Sequence, residues 1–477
     1  MVFSSPIFIC VFLPLVLAVY YLLPKAANNA VLVVASLVFY AWGDPVAALF
    51  LIIPSVAINF YLGKMVGSAS GLRRRQAITA AVAFNLILLI IFKYSPFLVS
   101  NINTALAAAG APALPVPQIT LPLGISFFTF HIISYLVDIY RGLFPPQPSL
   151  AAFTLYILNF PQLIAGPIIR YKQMVGQLGQ RTVVFGDIEY GVLRFVTGLA
   201  KKLLIADPLG EVADAVFSIP ASDLTTGAAW LGVSCYALQI YFDFSGYSDM
   251  AIGLARMFGF RFPENFNYPY AADSIQDFWR RWHMTLSAWF RDYVYIPLGG
   301  NRFGSWSTVR NLWLVFLLTG AWHGASWNFV VWGLWYGLFL SLERIGIVSR
   351  LMDRLPYLVR VIYVLFVVLV GWVFFRAPTL DYAVAFLGRM FGLGQQFAEP
   401  VALFDLVAPR MLAMIVLAFC LALPLWPRVR GAWQRWMDER RAALGDLANA
   451  GYVAVIMLLS LATMASQQNS PFLYFRF

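Results

Sequence analysis

Long apolar runs alternate with short polar stretches along most of the chain. A helix needs about 20 mainly apolar residues to cross a bilayer, and several of the runs approach that length. The runs cover residues 6–23, 30–42, 45–63, 78–92, 121–140, 228–244, 311–323, 329–342, 358–375, 411–425 and 452–464. This pattern predicts an all-α polytopic integral membrane protein with roughly ten to twelve transmembrane helices.

A further apolar segment, residues 151–169, is interrupted by Pro161, Gly166 and Pro167. We expect it to form a kinked span or a re-entrant segment, because irregular backbone at membrane depth survives only when protein buries it or when it lines a cavity. No stretch of the chain is long and polar enough for a separate soluble domain. Residues 1–477 are therefore expected to form a single integral-membrane domain.

The composition excludes the water-soluble alternatives. Hydrophobic residues make up 61% of the 477 residues and charged residues 12%, whereas soluble domains average about 45–50% and about 25%. This balance argues against a disordered chain, a soluble enzyme and a secreted disulfide scaffold. The three cysteines, Cys10, Cys235 and Cys420, are far apart in apolar runs and show neither metal-ligand nor disulfide spacing.

The net charge of +11 points to membrane topology rather than to nucleic acid. Lys and Arg gather in cytoplasmic loops and contact anionic lipid headgroups. On this rule Lys25, Arg73 and the basic stretch 428–441 lie inside, and Asp44 lies outside. Both the first residue and the C-terminus are then expected on the outer face, and the first apolar run is a retained span rather than a signal peptide.

His323 stands in the segment LTGAWHGASWN, residues 318–328. Helical spacing places Gly320 and Gly324 on one face, where glycine permits close approach of another backbone or a ligand. Thr319 and Trp327 lie four residues to either side of His323. A buried neutral imidazole in this setting is either a general base or a packing histidine that hydrogen-bonds between helices.

His283 stands in the segment DFWRRWHMTLS, residues 277–287. Helical spacing puts Trp279, His283 and Ser287 on one stripe, with Arg280 and Arg281 beside it. The pattern is typical of an interfacial helix. The two arginines are expected to contact either lipid headgroups or the phosphates of a donor.

The remaining polar residues at membrane depth have structural explanations as well as functional ones. His131 lies close to Ser134 and Thr129, which favours helix–helix hydrogen bonding. Asp243 and Asp249 either orient a histidine or form salt bridges, with Arg256 or Arg261 as partners, and Gly246 is expected to end or kink their helix. A proton-coupled transporter or flippase would also suit such residues.

Several sequence blocks resemble the membrane-bound O-acyltransferase family, in particular its bacterial alginate O-acetyltransferase branch. The two histidine segments carry the resemblance, LTGAWHGA at 318–325 and DFWRRWHMTLS at 277–287. Further similar blocks, in the same order, are MVFSS at 1–5, FPQLIAGP at 160–167, YFDFSGYSD at 241–249 and YIPLGG at 295–300.

The resemblance implies a multi-helix fold around a tunnel through the inner membrane. It assigns the catalytic histidine to His323 and the second family position to His283. The residues themselves offer Asp243 to orient a histidine, and Thr319, Trp322 or backbone N–H groups near Gly320 and Gly324 to stabilise an oxyanion. The resemblance also implies a cytoplasmic donor, expected to be acetyl-CoA, no bound cofactor or metal, and a periplasmic partner that acetylates an exported polysaccharide such as alginate. D-alanyl transfer and modification of cellulose or peptidoglycan are the alternatives within the family.

The C-terminal segment SPFLYFRF, residues 470–477, holds four aromatic residues among its last six. It resembles the tyrosine-bearing aromatic terminus that related D-alanylation systems carry on a separate small protein. By that likeness Tyr474 accepts the acyl group near His323 and passes it outward. The alternative is an aromatic anchor at the membrane interface.

Overall fold

The computed structural model describes residues 1–179, 181–393, 409–425, 442–466 and 472–473. All regular secondary structure in these ranges is helical, which confirms the all-α prediction. The chain divides into two compact units, Met1–Gly191 with Ala251–Pro263, and Val192–Met250 with Glu264–Phe477. The single domain expected from the sequence stays a prediction.

The first unit contains ten α-helices among its described residues. They are α1 (Leu13–Leu22), α2 (Asn28–Ala41), α3 (Pro45–Ala47), α4 (Ile53–Ser68), α5 (Gly71–Leu89), α6 (Ser95–Ala108), α7 (Ile125–Tyr140), α8 (Leu150–Leu158), α9 (Phe160–Leu163) and α10 (Tyr171–Met174). Three π-helical segments, Phe8–Phe12, Ala48–Ile52 and Ile90–Tyr94, directly precede or follow these helices. Such wide turns interrupt otherwise continuous apolar helices.

Two helices cross the boundaries between the units, α11 (Phe185–Ala200) and α13 (Thr226–Met257). The described part of the second unit also contains α12 (Asp207–Phe217), α14 (Ile275–Arg281), α15 (Met284–Phe290), α16 (Gly304–His323), α17 (Trp327–Leu342), α18 (Gly346–Arg354), α19 (Tyr357–Arg376), α20 (Leu380–Met390), α21 (Pro409–Ala422) and α22 (Ala442–Ser466). Its π-helical segments are Lys201–Ala206 and Arg291–Tyr295.

Four stretches of the described chain are long and apolar enough to cross a membrane: Pro45–Ser68, Gly71–Ala108, Tyr357–Arg376 and Leu447–Ser466. A fifth is added if α17 and α18, which meet at 80°, form one broken span. The sequence pattern predicted more crossings than these. The difference arises because several of the apolar runs form helices of only 10–17 residues. These shorter helices are Phe8–Leu22, Lys25–Ala41, Ile125–Tyr140 and Pro409–Ala422.

The interrupted segment 151–169 is broken where the sequence predicted. Helix α8 ends before Asn159, α9 ends at Leu163, and the backbone up to Ile169 is irregular. The segment is almost entirely buried within the first unit, as irregular backbone in a membrane protein must be. A Cβ on Gly124, which has a φ of +72°, would lie 2.5 Å from the Leu163 carbonyl oxygen, so glycine is required there.

Helices α16 and α17 pack closely in the second unit because glycines replace larger side chains at their contact. A Cβ at Gly333 would overlap the carbonyl oxygen of Phe316, and a Cβ at Gly320 would overlap that of Phe329. Small residues allow membrane helices to approach backbone to backbone. The short connection between the two helices contains the residues that follow His323.

We expect Gly333→Ala to destabilise the folded protein by about 1–3 kcal/mol, because the added methyl group must push α16 and α17 apart. Gly346→Ala is the matched control, since a methyl group at that position meets nothing within 4 Å. Thermal unfolding of the purified variants in detergent measures both effects. A Gly333→Ala protein that melts together with the control would contradict the close contact.

Candidate active site

His323 is the last residue of α16, and Gly324 continues the chain in an extended conformation. The imidazole is 5% exposed and lies among aromatic rings. Its ring centroid is 4.9 Å from that of Trp322, 5.0 Å from that of Trp332 and 5.1 Å from that of Phe375. This wall of rings, supplied by α16, α17 and α19, keeps most water away from the imidazole.

The glycines beside His323 act as the sequence predicted, but not on one helical face. Gly324 lies outside α16, and a Cβ at this position would overlap the ring of Phe329. Trp327, expected four residues along the same helix, opens α17 and is exposed. The helix therefore ends at the histidine, which places His323 at a corner between two helices.

Trp322 is the residue that brings the two candidate histidines together. Its ring centroid lies 6.2 Å from that of His283 and 4.9 Å from that of His323. Thr319, the other supporting candidate on α16, donates its hydroxyl to the Val315 carbonyl oxygen at 2.7 Å. That hydroxyl proton is committed to its own helix, which makes Thr319 a poor donor to a reacting group.

His283 does not lie on the continuous interfacial helix that its spacing predicted. Helix α14 ends at Arg281, α15 begins at Met284, and His283 adopts a left-handed conformation with a φ of +42° between them. The side chain is fully buried and packs edge-on against Phe244 at 4.7 Å between centroids. Few residues other than glycine adopt such a φ without support from their surroundings.

Asn265 supplies that support. Its Oδ1 accepts hydrogen bonds from the backbone N–H and the hydroxyl of Thr285, at 3.3 and 2.8 Å, and lies 3.0 Å from His283 Nδ1. Its backbone carbonyl accepts from the N–H of Met284, and its Nδ2 donates to Ser248 at 3.1 Å. An amide oxygen can only accept, so Nδ1 carries the proton in this hydrogen bond and Nε2 is the basic nitrogen of His283.

Sequence reasoning did not find Asn265. It lies 18 residues before His283, on the non-helical stretch between α13 and α14, where helical periodicity gives no signal. The local pattern around His283 favours one helix from Asp277 to Ser287. Instead, the chain breaks at His283, and Thr285 and Met284 just beyond the break donate hydrogen bonds to Asn265.

The two arginines of this segment have different surroundings. Arg281 forms an ion pair with Asp277 at 2.7 Å, one turn apart on α14. Arg280 is exposed, while its neighbour Trp279 is buried against Phe316. Of the two donor candidates, Arg280 is therefore the one whose guanidinium faces outward.

Asp243 and Asp249 form salt bridges, but with other partners than the sequence suggested. Lys202 Nζ lies 2.9 Å from Asp243, and Asp249 pairs with Arg194 and Lys201 at 2.7 and 2.6 Å. Arg256, the predicted partner, pairs with Asp187 instead.

Helix α13 also runs through Gly246 without ending there. A Cβ on Gly246 would lie 2.7 Å from the Gly198 carbonyl oxygen. The glycine therefore serves helix contact rather than a break in the helix.

His131 has the packing role that its sequence favoured. Its Nε2 accepts the backbone N–H of Ile169 at 3.2 Å, and its carbonyl oxygen accepts the hydroxyls of Ser134 and Tyr156. These contacts link α7 to α8 and to the irregular backbone before α10 within the first unit.

A cavity of about 250 Å³ is lined in part by Phe375, a ring neighbour of His323. Its lining residues are Ser326, Asn328, Phe329, Phe375, Arg376, Ala377, Pro378 and Leu473. Phe375 contacts the His323 ring, and Leu473 comes from the C-terminal segment. Tyr474, the candidate acyl relay, lies outside the described residues.

Comparison with known proteins identifies the family. The model of the membrane-bound O-acyltransferase family matches residues 119–378. A probable alginate O-acetylase AlgI of Azotobacter vinelandii is 42% identical over the full length of both chains, and one of Pseudomonas putida is 41% identical over the full length of both. A peptidoglycan O-acetyltransferase of Helicobacter pylori is 37% identical over 82% of this chain and 80% of its own.

The matched region contains both histidine segments, and the similarity to the two alginate O-acetylases extends over the whole chain. The apolar helices described above agree with a multi-pass membrane protein. The chain belongs to the membrane-bound O-acyltransferase family and is an inner-membrane O-acyltransferase.

Proposed function

We propose that this protein transfers an acetyl group from a cytoplasmic donor, acetyl-CoA, into the O-acetylation of an exported polysaccharide. The observation that carries the proposal is the pair of buried histidines whose rings both lie near that of Trp322, in a chain similar over its full length to alginate O-acetylases. Alginate or a similar polymer is the acceptor we propose first. Peptidoglycan is the second candidate, because the H. pylori relative bears that name.

His323 acts as the general base in this proposal. Its imidazole accepts the proton of an attacking hydroxyl, whose oxygen then forms a bond to the carbonyl carbon of the acetyl thioester. The tetrahedral intermediate collapses, the carbon–sulfur bond breaks and the thiolate of the donor leaves. The aromatic wall around His323 supports this role, because exclusion of water protects a reactive acyl group from hydrolysis.

His283 assists on the donor side. Its Nδ1–H is directed to Asn265, so Nε2 is the nitrogen able to take or return a proton. Trp322 holds the rings of His283 and His323 in one cluster and is the supporting residue that we favour over Thr319. Arg280, three residues before His283, is exposed. We assign it to the donor's phosphates, which an arginine binds through its guanidinium fork.

Tyr474 is the acyl relay in this proposal. Leu473, the residue before Tyr474, is buried and lines the cavity. Phe375, which lines the same cavity, contacts the ring of His323. The tyrosine oxygen would lose its proton to His323 and form an acetyl ester. A serine or other hydroxyl of a periplasmic acetyltransferase would then attack that ester. Its oxygen bonds to the acetyl carbon, the bond from that carbon to the tyrosine oxygen breaks, and the hydroxyl's proton passes to the tyrosine.

We expect His323→Ala to insert into the membrane normally and to lower acetyl transfer by about 10²–10⁴-fold, the usual cost of removing a general base. Acetylation of the exported polymer, measured by NMR of its acetyl groups, reports the activity. Chromatography of the purified variant in detergent reports folding. Acetylation at the wild-type level by a well-folded His323→Ala protein would remove His323 from the mechanism.

Asn265→Ala should lower acetyl transfer although Asn265 touches no substrate in this proposal. The substitution leaves Thr285 and His283 Nδ1 without their acceptor, at a cost of about 1–3 kcal/mol. If that cost falls on the active arrangement of His283, the rate of acetyl transfer drops roughly 5- to 150-fold. Ser248→Ala is the matched control, because it removes only the acceptor of Asn265 Nδ2 and should cost less. The rate of acetyl-CoA consumption by purified protein distinguishes them, and equal losses would contradict the positioning of His283 by Asn265.

Tyr474→Phe separates a relay from an aromatic anchor. An anchor tolerates the change, since the aromatic ring remains, whereas a relay loses the oxygen that carries the acetyl group. We expect polymer acetylation to be abolished and an acetylated C-terminal peptide to be detectable by mass spectrometry only when Tyr474 is present. Normal acetylation by the variant, without any such adduct in the wild type, would eliminate the relay.

A further inference from the structure

A buried group of charges lies beside the C-terminal segment. Lys202 and Asp243 are each 2% exposed, and their charged atoms are 2.9 Å apart. Lys202 also contacts Asp207 at 2.6 Å. The net stabilisation from a desolvated ion pair is small, because the loss of hydration offsets the attraction. The ion pair alone therefore gives these buried charges little net stabilisation.

Both charges of the Lys202–Asp243 pair contact the C-terminal segment. The second carboxylate oxygen of Asp243 accepts the backbone N–H of Leu473 at 2.9 Å. Lys202 Nζ lies 4.9 Å from the ring centroid of Phe472, in cation–π geometry. Tyr247, one turn after Asp243 on α13, packs edge-on against Phe472 at 4.6 Å. Three side chains from two helical elements thus hold two consecutive residues.

The held segment reaches the cavity beside His323. Phe472 and Leu473 are 1% and 3% exposed, and Leu473 lines the cavity together with Phe329 and Phe375. Asp243 therefore fixes the backbone of the residue that precedes Tyr474, the proposed relay, in the sequence.

We propose that Lys202, Asp243 and Tyr247 form a tail clamp that fixes the C-terminal segment at the cavity beside His323. This inference rests on the proposed relay at Tyr474 and names the residues that position it. The three are positioning residues, since they contact the tail rather than the reacting atoms. Loss of the clamp releases the segment and lowers acetyl transfer, while His323 and His283 remain intact.

The test measures docking of the tail directly. Leu473→Cys, in a background with Cys10→Ala and Cys420→Ala, places a thiol at the buried position and removes the two exposed native thiols. Labelling with a polyethylene-glycol maleimide in membrane vesicles then reports release of the segment. We expect Asp243→Ala to raise the labelling rate by about tenfold or more, because a charge-assisted hydrogen bond and the neighbouring ring contact are disturbed together.

Asp249→Ala is the matched control. Asp249 lies on the same helix, is also buried and also pairs with a lysine of the π-helical segment, but its ion-pair partners are Arg194 and Lys201. Labelling should stay at the parent rate in this variant. If both substitutions raise labelling equally, the protein has loosened generally and the clamp is overturned.

Phe472→Leu covers the case in which Asp243→Ala fails to fold. It keeps the ion pair and an apolar side chain but removes the ring that Lys202 and Tyr247 contact, and it should raise labelling by a smaller factor. Unchanged labelling in the variants that fold would overturn the clamp whatever their activity. Raised labelling of Asp243→Ala, combined with full polymer acetylation by Asp243→Ala in the native chain, would support the clamp and overturn the relay at Tyr474.

Discussion

The buried carboxylates and the buried hydroxyl of Ser248 on α13 rely on partners within the protein, because an apolar interior supplies no water to replace them. This constraint links features that are far apart in sequence. Asp243 binds Lys202 and the backbone of Leu473, and Ser248 accepts from Asn265, which in turn holds His283. One helix thus connects the support of a candidate catalytic histidine with the support of the C-terminal segment.

The aromatic residues around His323 complement this polar framework. The rings of Trp322, Trp332 and Phe375 pack against the imidazole, and Gly320 and Gly333 bring α16 and α17 into backbone contact. The rings keep most water from the imidazole, and the glycines allow close packing of the two helices that carry Trp322 and Trp332. The chemistry proposed for His323 depends on both.

The sequence was sufficient for the features that are local or compositional. The apolar runs predicted the helical class, the break within residues 151–169 was placed correctly, and the histidine segments identified the family. It was insufficient where a distant partner decides the local structure. His283 leaves the helix that its neighbours favour, in contact with Asn265, and Asp243 pairs with a lysine 41 positions upstream. Periodicity describes one element at a time and cannot name such partners.

The π-helical segment Lys201–Ala206 has a consequence for how this region tolerates change. Two adjacent lysines there reach acids six positions apart on α13, Lys201 to Asp249 and Lys202 to Asp243. In a regular α-helix each residue added or removed turns the following side chains by about 100°. A π-helical turn closes one residue later than an α-helical turn. The count of residues in this segment, more than their identity, therefore sets how the lysines are oriented relative to the helix that follows. A single deletion within 203–206 would change the register between the two lysines and α12, whereas an insertion in the connection at 218–225 would leave that register unchanged.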